Sequence, residues 1–268
     1  MKIMLPLAVR KLSCNPALRR VGHRLHVNHF VRRLYCRLLS GSGMLHVSCL
    51  GVNAVFKTSN SKQLAFMDYI ITSERETIEA ALCNLKAGDA FLDVGCHYGI
   101  YSVLASKMVG PTGRVIAVEP HPESLEVLRE NLALNRCENV EVLNLAFSDT
   151  TGPLALAYNE NCAGPRRPSD PPSAVHTAQG MAGDEALRHV PIPTAAKIDV
   201  EGHEFAVLRG LQQTLSSAVC RRLCLEVHPP ALPSGVTEVL IMKFIRSCGF
   251  EILSASARSA EVHVVASR

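Results

Sequence analysis

Residues 90–105 read AFLDVGCHYGIYSVLA: a short apolar run carrying one acid, a glycine, and then apolar residues at helical spacing. A run of this length bounded by glycine reads as a buried strand, and the stretch from Ile100 reads as the helix that follows it. Strand, glycine turn and helix in that order open a parallel βαβ unit. One carboxylate, Asp93, then stands at the carboxyl end of the strand, where open α/β sheets bind their ligands.

Outward from this stretch the signals alternate. TIEAALCNL before it reads as helix. After it come RVIAVEP as strand, PESLEVLRENLALN as helix, VEVLNLAFSD and AAKIDV as strands, EFAVLRGLQQTL as helix, RRLCLEVH as strand, VTEVLIMKFIRSC as helix, and FEILSAS and EVHVVAS as closing strands. The alternation implies an α/β fold with a mostly parallel sheet covered on both faces. The last two strands, joined only by ARSA, must run antiparallel to each other. Residues 44–66 alternate loosely and suggest a small hairpin. Residues 159–194, between the third strand and AAKIDV, are rich in Pro, Ser and Gly; they read as a long loop beside the cleft or as a disordered insertion. The Arg166–Arg167 pair within them hints at an anionic acceptor, although arginines are common in solvated loops.

Asp93, Gly95 and Gly99 form D-x-G-x-x-x-G, with Cys96 and His97 inside the turn. Glycines there permit a tight turn and close backbone approach to a ligand. The next strand ends in Glu119, placed to accept hydrogen bonds from two ribose hydroxyls. A dinucleotide fingerprint would need glycine at 97, and no phosphate-cradling G-x-x-x-x-G-K-[ST] occurs. A nucleoside without a pyrophosphate is what S-adenosylmethionine presents. Its carboxylate suits the start of the helix near Gly99, and its ammonium suits Asp93, directly or through water. The plain alternative makes Asp93 a helix cap and Glu119 an exposed acid; the ordered set of motifs favours the ligand.

FLDVGCHYG, VIAVEPHP, LNLAFSD and above all KIDVEGHE resemble the motifs of the FkbM-type S-adenosylmethionine-dependent methyltransferases, over residues 74–228. The resemblance implies the class I methyltransferase architecture, a Rossmann-like seven-stranded sheet, mostly parallel with an antiparallel last strand. It implies O-methylation of a hydroxyl on a small molecule, sugar or lipid. By the same resemblance the cofactor contacts are Asp93, Gly95, Cys96, His97, Gly99 and Glu119, with Leu145 and Ala146 flanking the adenine. Asp184 falls where the family carries a Leu-Asp pair, and Gly183 replaces that leucine, which leaves the role of Asp184 open. Residues 1–67 lie outside the resemblance, so the chain divides into an arm, 1–67, and a methyltransferase domain, 68–268.

Candidates for the chemistry come from the ends of the fourth and fifth strands: Asp199, Glu201 and His203 in KIDVEGHE, then Glu226 and His228 in LEVH. Alternation along a strand points Glu226 and His228 to one side, and Asp199 and Glu226 toward each other across the cleft. Two readings stand. A carboxylate or His228 acts as general base, or Asp199, Glu226 and His228 hold Mg or Mn, which lowers the acceptor pKa. A bland reading starts a helix with Glu201 and His203.

Composition bounds the rest. The 268 residues allow one large domain with an extension, and 47 % of them are apolar with no run near the roughly 20 needed to span a bilayer. Ten cysteines without a CxxC pair argue against zinc and for a reducing, cytoplasmic setting. Eleven Lys or Arg precede the first acid, Asp68, so residues 1–67 carry +11 and the remainder −7. Within the arm, Leu18, Val21, Leu25, Val31, Leu34 and Leu38 line one helical face among arginines. That pattern suits a peripheral helix on an anionic membrane, an organellar targeting segment, or a helix packed on the main domain. Two other functions stay open, a catalytically silent binding module and a nucleic-acid methyltransferase. The arm's few aromatics and the absence of Trp weigh against nucleic acid.

Overall fold

Strand β3 (Ala90–Val94), the strand of the opening stretch, lies inside a seven-stranded sheet. The structure, a computed structural model, describes residues 43–59, 61–158, 163–165, 175–258 and 260–268. The expected arm helix, the Arg166–Arg167 pair and Cys14, Cys36 and Cys162 fall outside them. The seven described cysteines are free thiols. Among the described residues no helix is long and apolar enough to cross a membrane.

Two compact units divide the chain, Met1–Glu76 and Thr77–Arg268. In the first, β1 (Met44–Cys49) and β2 (Val52–Lys57) pair antiparallel with Cys49 opposite Val52. Leu50 and Gly51 make the two-residue turn, both at positive φ (49° and 77°), which matches the twist of the strands it joins. Helix α1 (Ser61–Ser73) follows, and α2 (Arg75–Leu82) leads into the second unit.

There β3 is followed by α3 (Ile100–Val109), β4 (Arg114–Val118), α4 (Pro122–Leu134) and β5 (Val140–Leu143). Helix α4 is capped by His121, whose Nδ1 accepts from Ser124 N, and has Pro122 at its first turn. Beyond β5 come β6 (Ala146–Ser148), β7 (Gly152–Tyr158), β8 (Ala163–Pro165), β9 (Val175–Ala182) and the single turn α5 (Gly183–Ala186). Then follow β10 (Ala195–Asp199), α6 (Glu204–Gly210), α7 (Gln212–Ser216), β11 (Arg222–Val227), α8 (Glu238–Ser247), β12 (Glu251–Arg258) and β13 (Glu261–Ser267).

The main sheet has the order β12-β13-β11-β10-β3-β4-β5; β13 is antiparallel to both its neighbours and the other pairs are parallel. This is the class I methyltransferase architecture expected from the sequence. From β3 the chain winds outward through β4 and β5, then returns on the other side of β3 to lay down β10 and β11. The switch point therefore lies between β3 and β10, beside Asp93 and Asp199, where such sheets open a ligand crevice.

One face of the sheet carries Leu92, Val94, Ile116, Val118, Ile198, Leu223, Leu225, Val227 and Val264, packed with Val207 and Leu208 of α6 and Ile241 and Ile245 of α8. Each is almost fully buried. At about 25 cal/mol per Å² of apolar area, such side chains contribute on the order of 1.5–3 kcal/mol apiece. The alternate positions, Asp93, Lys197 and Glu226 among them, project from the other face.

Three sequence expectations change. VEVLNLAFSD is not one strand: β5 is the edge of the main sheet, whereas β6 joins a second sheet ordered β6-β9-β7-β8. Residues 159–194 are not one loop, since they include β8, β9 and α5, and β7 before them was not anticipated. The helix EFAVLRGLQQTL breaks at Leu211 (φ −106°) into α6 and α7. Gly210 lies so close to the end of β6 that a Cβ there would stand 1.8 Å from the Ser148 carbonyl oxygen. Asp184 supplies the new start, accepting from Gln213 N (2.7 Å) and Thr214 N (2.9 Å).

Candidate active site

The turn after β3 is built by backbone geometry. Gly95, His97 and Gly99 all have positive φ (74°, 49° and 83°), and Gly95 N and Cys96 N donate to the Val118 carbonyl of β4. Gly95 is tight for a second reason, because a Cβ would stand 1.8 Å from the Asp199 carbonyl oxygen. Glycine is thus required by conformation and by the approach of β10. Cys96 is buried, and its thiol pKa is pushed well up by burial and by the nearby carboxylates. It is a packing residue of the turn and stays protonated.

Asp93 is fully buried. Its Oδ2 accepts from Ser102 Oγ at 2.6 Å, while Oδ1 has no hydrogen-bond partner and stands 3.8 Å from Lys197 Nζ. Burial raises its pKa; Lys197 and Ser102 work against that rise. Glu119, just beyond β4, accepts from His97 N at 2.9 Å and from His121 N at 2.8 Å, one bond to each oxygen. Burial pushes its carboxyl up to about 7 despite these amides. Each oxygen keeps a second lone pair for a hydroxyl donor. An orphaned carboxylate oxygen and an amide-braced acid fit a ligand with an ammonium and two ribose hydroxyls. Leu145 is partly buried beside the core and Ala146 begins β6, so both sit at the carboxyl end of β5.

On the other side of the switch point, the register aligns Lys197 with Asp93 and Asp199 with Glu226. Lys197 Nζ donates to the Gly95 carbonyl at 3.0 Å and pairs with Asp199 Oδ2 at 3.3 Å. Burial alone would lower its pKa, but Asp199, Asp93 and Glu226 outweigh burial and hold it above the ordinary value. Asp199 moves the opposite way: burial would raise it, and Lys197 and His228 bring it below the usual carboxylate range.

His228 gathers the acids. Its Nδ1 bonds Glu204 Oε1 at 2.8 Å, and its Nε2 stands 3.7 Å from Glu201, 3.8 Å from Asp199 and 3.9 Å from Glu226. Burial would lower its pKa, yet Glu204, Asp199 and Glu201 lift it to about 9. Glu201 reaches this point through a sharp turn, with φ of 55° followed by Gly202 at 108°. His203 does not join the cluster. It stands at the N-terminal boundary of α6 without a side-chain capping bond, and its Nε2 lies 3.0 Å from Ser148 Oγ.

The structure thus brings together Asp199, Glu201, Glu226 and His228, with Asp93 one strand away. Sequence reasoning missed Lys197, Ser102 and Glu204. For Lys197 a signal existed: a cation in the apolar strand AAKID, two residues before Asp199 and so on its face. Glu204 reads as an ordinary acid in the first turn of a helix, and nothing local marks it as buried. Also missed was a second group, Glu226, Glu261 and His263, whose donor atoms lie within 4.8 Å of one another, as do those of Asp199, Glu226 and His228.

Residues 93–252 match the family described as the methyltransferase FkbM domain. The hexuronic acid methyltransferase AglP of Haloferax volcanii is 29% identical over 174 residues, covering 63% of this chain and 69% of that protein. The methyltransferase sdnD of Sordaria araneosa is 34% identical over 84 residues, 31% of this chain and 32% of that relative. Among solved structures, the Methanococcus jannaschii fibrillarin pre-rRNA processing protein superposes with a TM-score of 0.48 at 13% identity, covering 84% of this chain and 83% of that one.

Proposed function

Because this chain belongs to the FkbM family of S-adenosylmethionine-dependent methyltransferases, we propose that it methylates a hydroxyl oxygen of a sugar-class acceptor, free or lipid-linked. S-adenosylmethionine supplies an already activated methyl group when bound, so the chain has to align donor and acceptor and manage one proton. Glu119 would accept the ribose hydroxyls, Asp93 Oδ1 would face the ammonium, and Leu145 and Ala146 would border the adenine.

The observation that carries this reading is Lys197, whose ammonium lies between Asp93 and Asp199 and ties the cofactor turn to the acceptor acids. Asp199 and Glu226 stand opposite each other in the sheet, and of that pair Asp199 is the more accessible, its side chain 28% exposed against 11%; Glu201, at 41%, is more exposed but lies on the turn beyond the strand. Asp199 therefore meets the acceptor hydroxyl. Its lowered pKa keeps it anionic at neutral pH, so it accepts the hydroxyl's hydrogen bond and, as the methyl–sulfur bond breaks and the new C–O bond forms, the proton. His228, protonated up to about pH 9, already carries its proton and holds Asp199, Glu201 and Glu226 in place. The sugar class draws support from the similarity to AglP, a hexuronic acid methyltransferase.

The test is incubation of the full chain with S-adenosylmethionine and uronate-terminated or neutral oligosaccharides, followed by fragment mass spectrometry. One methyl on a sugar oxygen is expected. Tight S-adenosylhomocysteine binding with no turnover on any acceptor would point to a binding module instead, and methyl groups placed on nucleic acid would overturn the sugar reading.

A further inference from the structure

Strand β13 delivers two residues, Glu261 and His263, to the acceptor end of the sheet. Its antiparallel register sets His263 directly opposite Glu226, so both project from one face, and Glu261, two residues back along the strand, shares it. His263 is 6% exposed, and its Nε2 has no hydrogen-bond partner. That nitrogen stands 3.6 Å from Glu226 Oε1 and 3.8 Å from Glu261 Oε2, too far for a hydrogen bond to either. The other ring nitrogen, Nδ1, lies 3.2 Å from Thr77 Oγ1. A buried ring nitrogen stranded between two carboxylates calls for a partner that both kinds of donor can share.

We propose that Glu226, Glu261 and His263 bind one divalent transition-metal ion of the Mn or Zn class, with Thr77 fixing the imidazole. With its Nδ1 proton directed at Thr77 Oγ1, His263 presents the Nε2 lone pair to the ion, the arrangement in which an outer partner sets the ligating tautomer. Metal–ligand bonds of about 2.0–2.2 Å place neighbouring donors roughly 3.0–3.5 Å apart, so the two separations from His263, 3.6 and 3.8 Å, need to close by only a few tenths of an ångström, and the two carboxylates already lie within 4.8 Å of each other. One imidazole with two carboxylates favours Mn or Zn over the all-oxygen preference of Mg and Ca. The set Asp199, Glu226 and His228 is also compact, but of the two imidazoles only His263 has a buried nitrogen without a partner. Three protein donors leave coordination positions open; resting on the methyl-transfer reading, an acceptor oxygen is the group to fill one. Arg258, opposite Glu261 across the β12–β13 pair, carries a buried guanidinium nitrogen without a partner and opposes the ion by charge.

The experiment is Mn titration of the full chain, followed by electron paramagnetic resonance of free Mn, without cofactor or acceptor. Failure here is thereby separate from failure of methyl transfer. One Mn per chain is expected, not displaced by equal Mg. His263→Ala and the partly exposed Glu261→Gln should each weaken binding about ten- to a hundredfold. Arg258→Gln should strengthen it, and His228→Gln, which also removes a positive charge beside Glu226, should not weaken it. If His263→Ala does not fold, Glu261→Gln and Arg258→Gln, acting in opposite directions, decide alone. No uptake of Mn or Zn by the wild type means that the gap holds water and overturns the site. Loss of the ion in His228→Gln with retention in Glu261→Gln overturns it in favour of the Asp199 set.

Discussion

At the scale of single residues, burial and pairing set opposite demands on the acids of the crevice. Burial pushes the Glu119 carboxyl up to about 7 in the folded protein, above its ordinary 4.5. Folding therefore favours its protonated form; that contribution to stability is complete below pH 4.5 and is lost as pH rises through 7. Ribose hydroxyls donate to the ionised form, so cofactor binding must show the reverse trend. Affinity for S-adenosylhomocysteine should rise about tenfold from pH 6 to pH 8, as the carboxylate fraction does for a pKa near 7. Calorimetry on the wild type and on Glu119→Ala checks this, and a pH slope that survives in Glu119→Ala would assign the titration elsewhere. Lys197 is the opposite case, a buried cation between two acids. Lys197→Met leaves the buried Asp93 without its cation and Asp199 with His228 alone, and should cost about 3–5 kcal/mol in urea unfolding at pH 8. Part of that loss should return at lower pH as Asp93 takes up a proton. Asp199→Asn should instead keep S-adenosylhomocysteine affinity within a few-fold and lower kcat on the order of a hundredfold; unchanged kcat would remove Asp199 from the proton path.

Among elements, the break between α6 and α7 is enforced by contact. Gly210 has an ordinary helical conformation, so its need for glycine is steric: the missing Cβ makes room for the Ser148 carbonyl. Gly183 is tight as well, but against a side chain, since a Cβ there would lie 2.5 Å from Leu211 Cδ2. Gly210→Ala must push α6 off β6, and a destabilisation of about 1–3 kcal/mol is expected from such overpacking. A melting temperature equal to wild type would show that the helix can shift freely. At the opposite end of the same short helix, Glu204 is fully buried and its Oε1 lies 2.8 Å from His228 Nδ1, so α6 also carries the brace of the imidazole.

On the scale of the whole molecule, charge is divided sharply along the sequence, with +11 over residues 1–67 and −7 over the rest. The basic part should draw the full chain to vesicles containing anionic lipid, at about 1 kcal/mol per basic residue near the surface, an attraction that salt screens. Vesicle sedimentation should show binding that needs anionic lipid and fades with added salt. Equal binding to neutral vesicles, or none to anionic ones, would end the anchor reading.

The sequence by itself determined the strand–turn–helix order, the place of Asp93, Glu119, Asp199 and Glu226 at strand ends, and the antiparallel closing pair. These are local matters, decided by periodicity and by glycines that leave few alternatives. VEVLNLAFSD exceeded that reach, because a strand that changes sheets keeps the same alternation on both sides of the change. The same holds for β9, whose polar residues pair with β7 without ever looking like core. Tertiary structure alone decided which charges meet. Lys197 lies between two acids because β10 docks beside β3, Glu204 braces His228 from a different element, and His263 faces Glu226 from a strand laid down last. Electrostatic energy depends on distance in space and on the exclusion of water, and both are set only when strands far apart in the chain become neighbours.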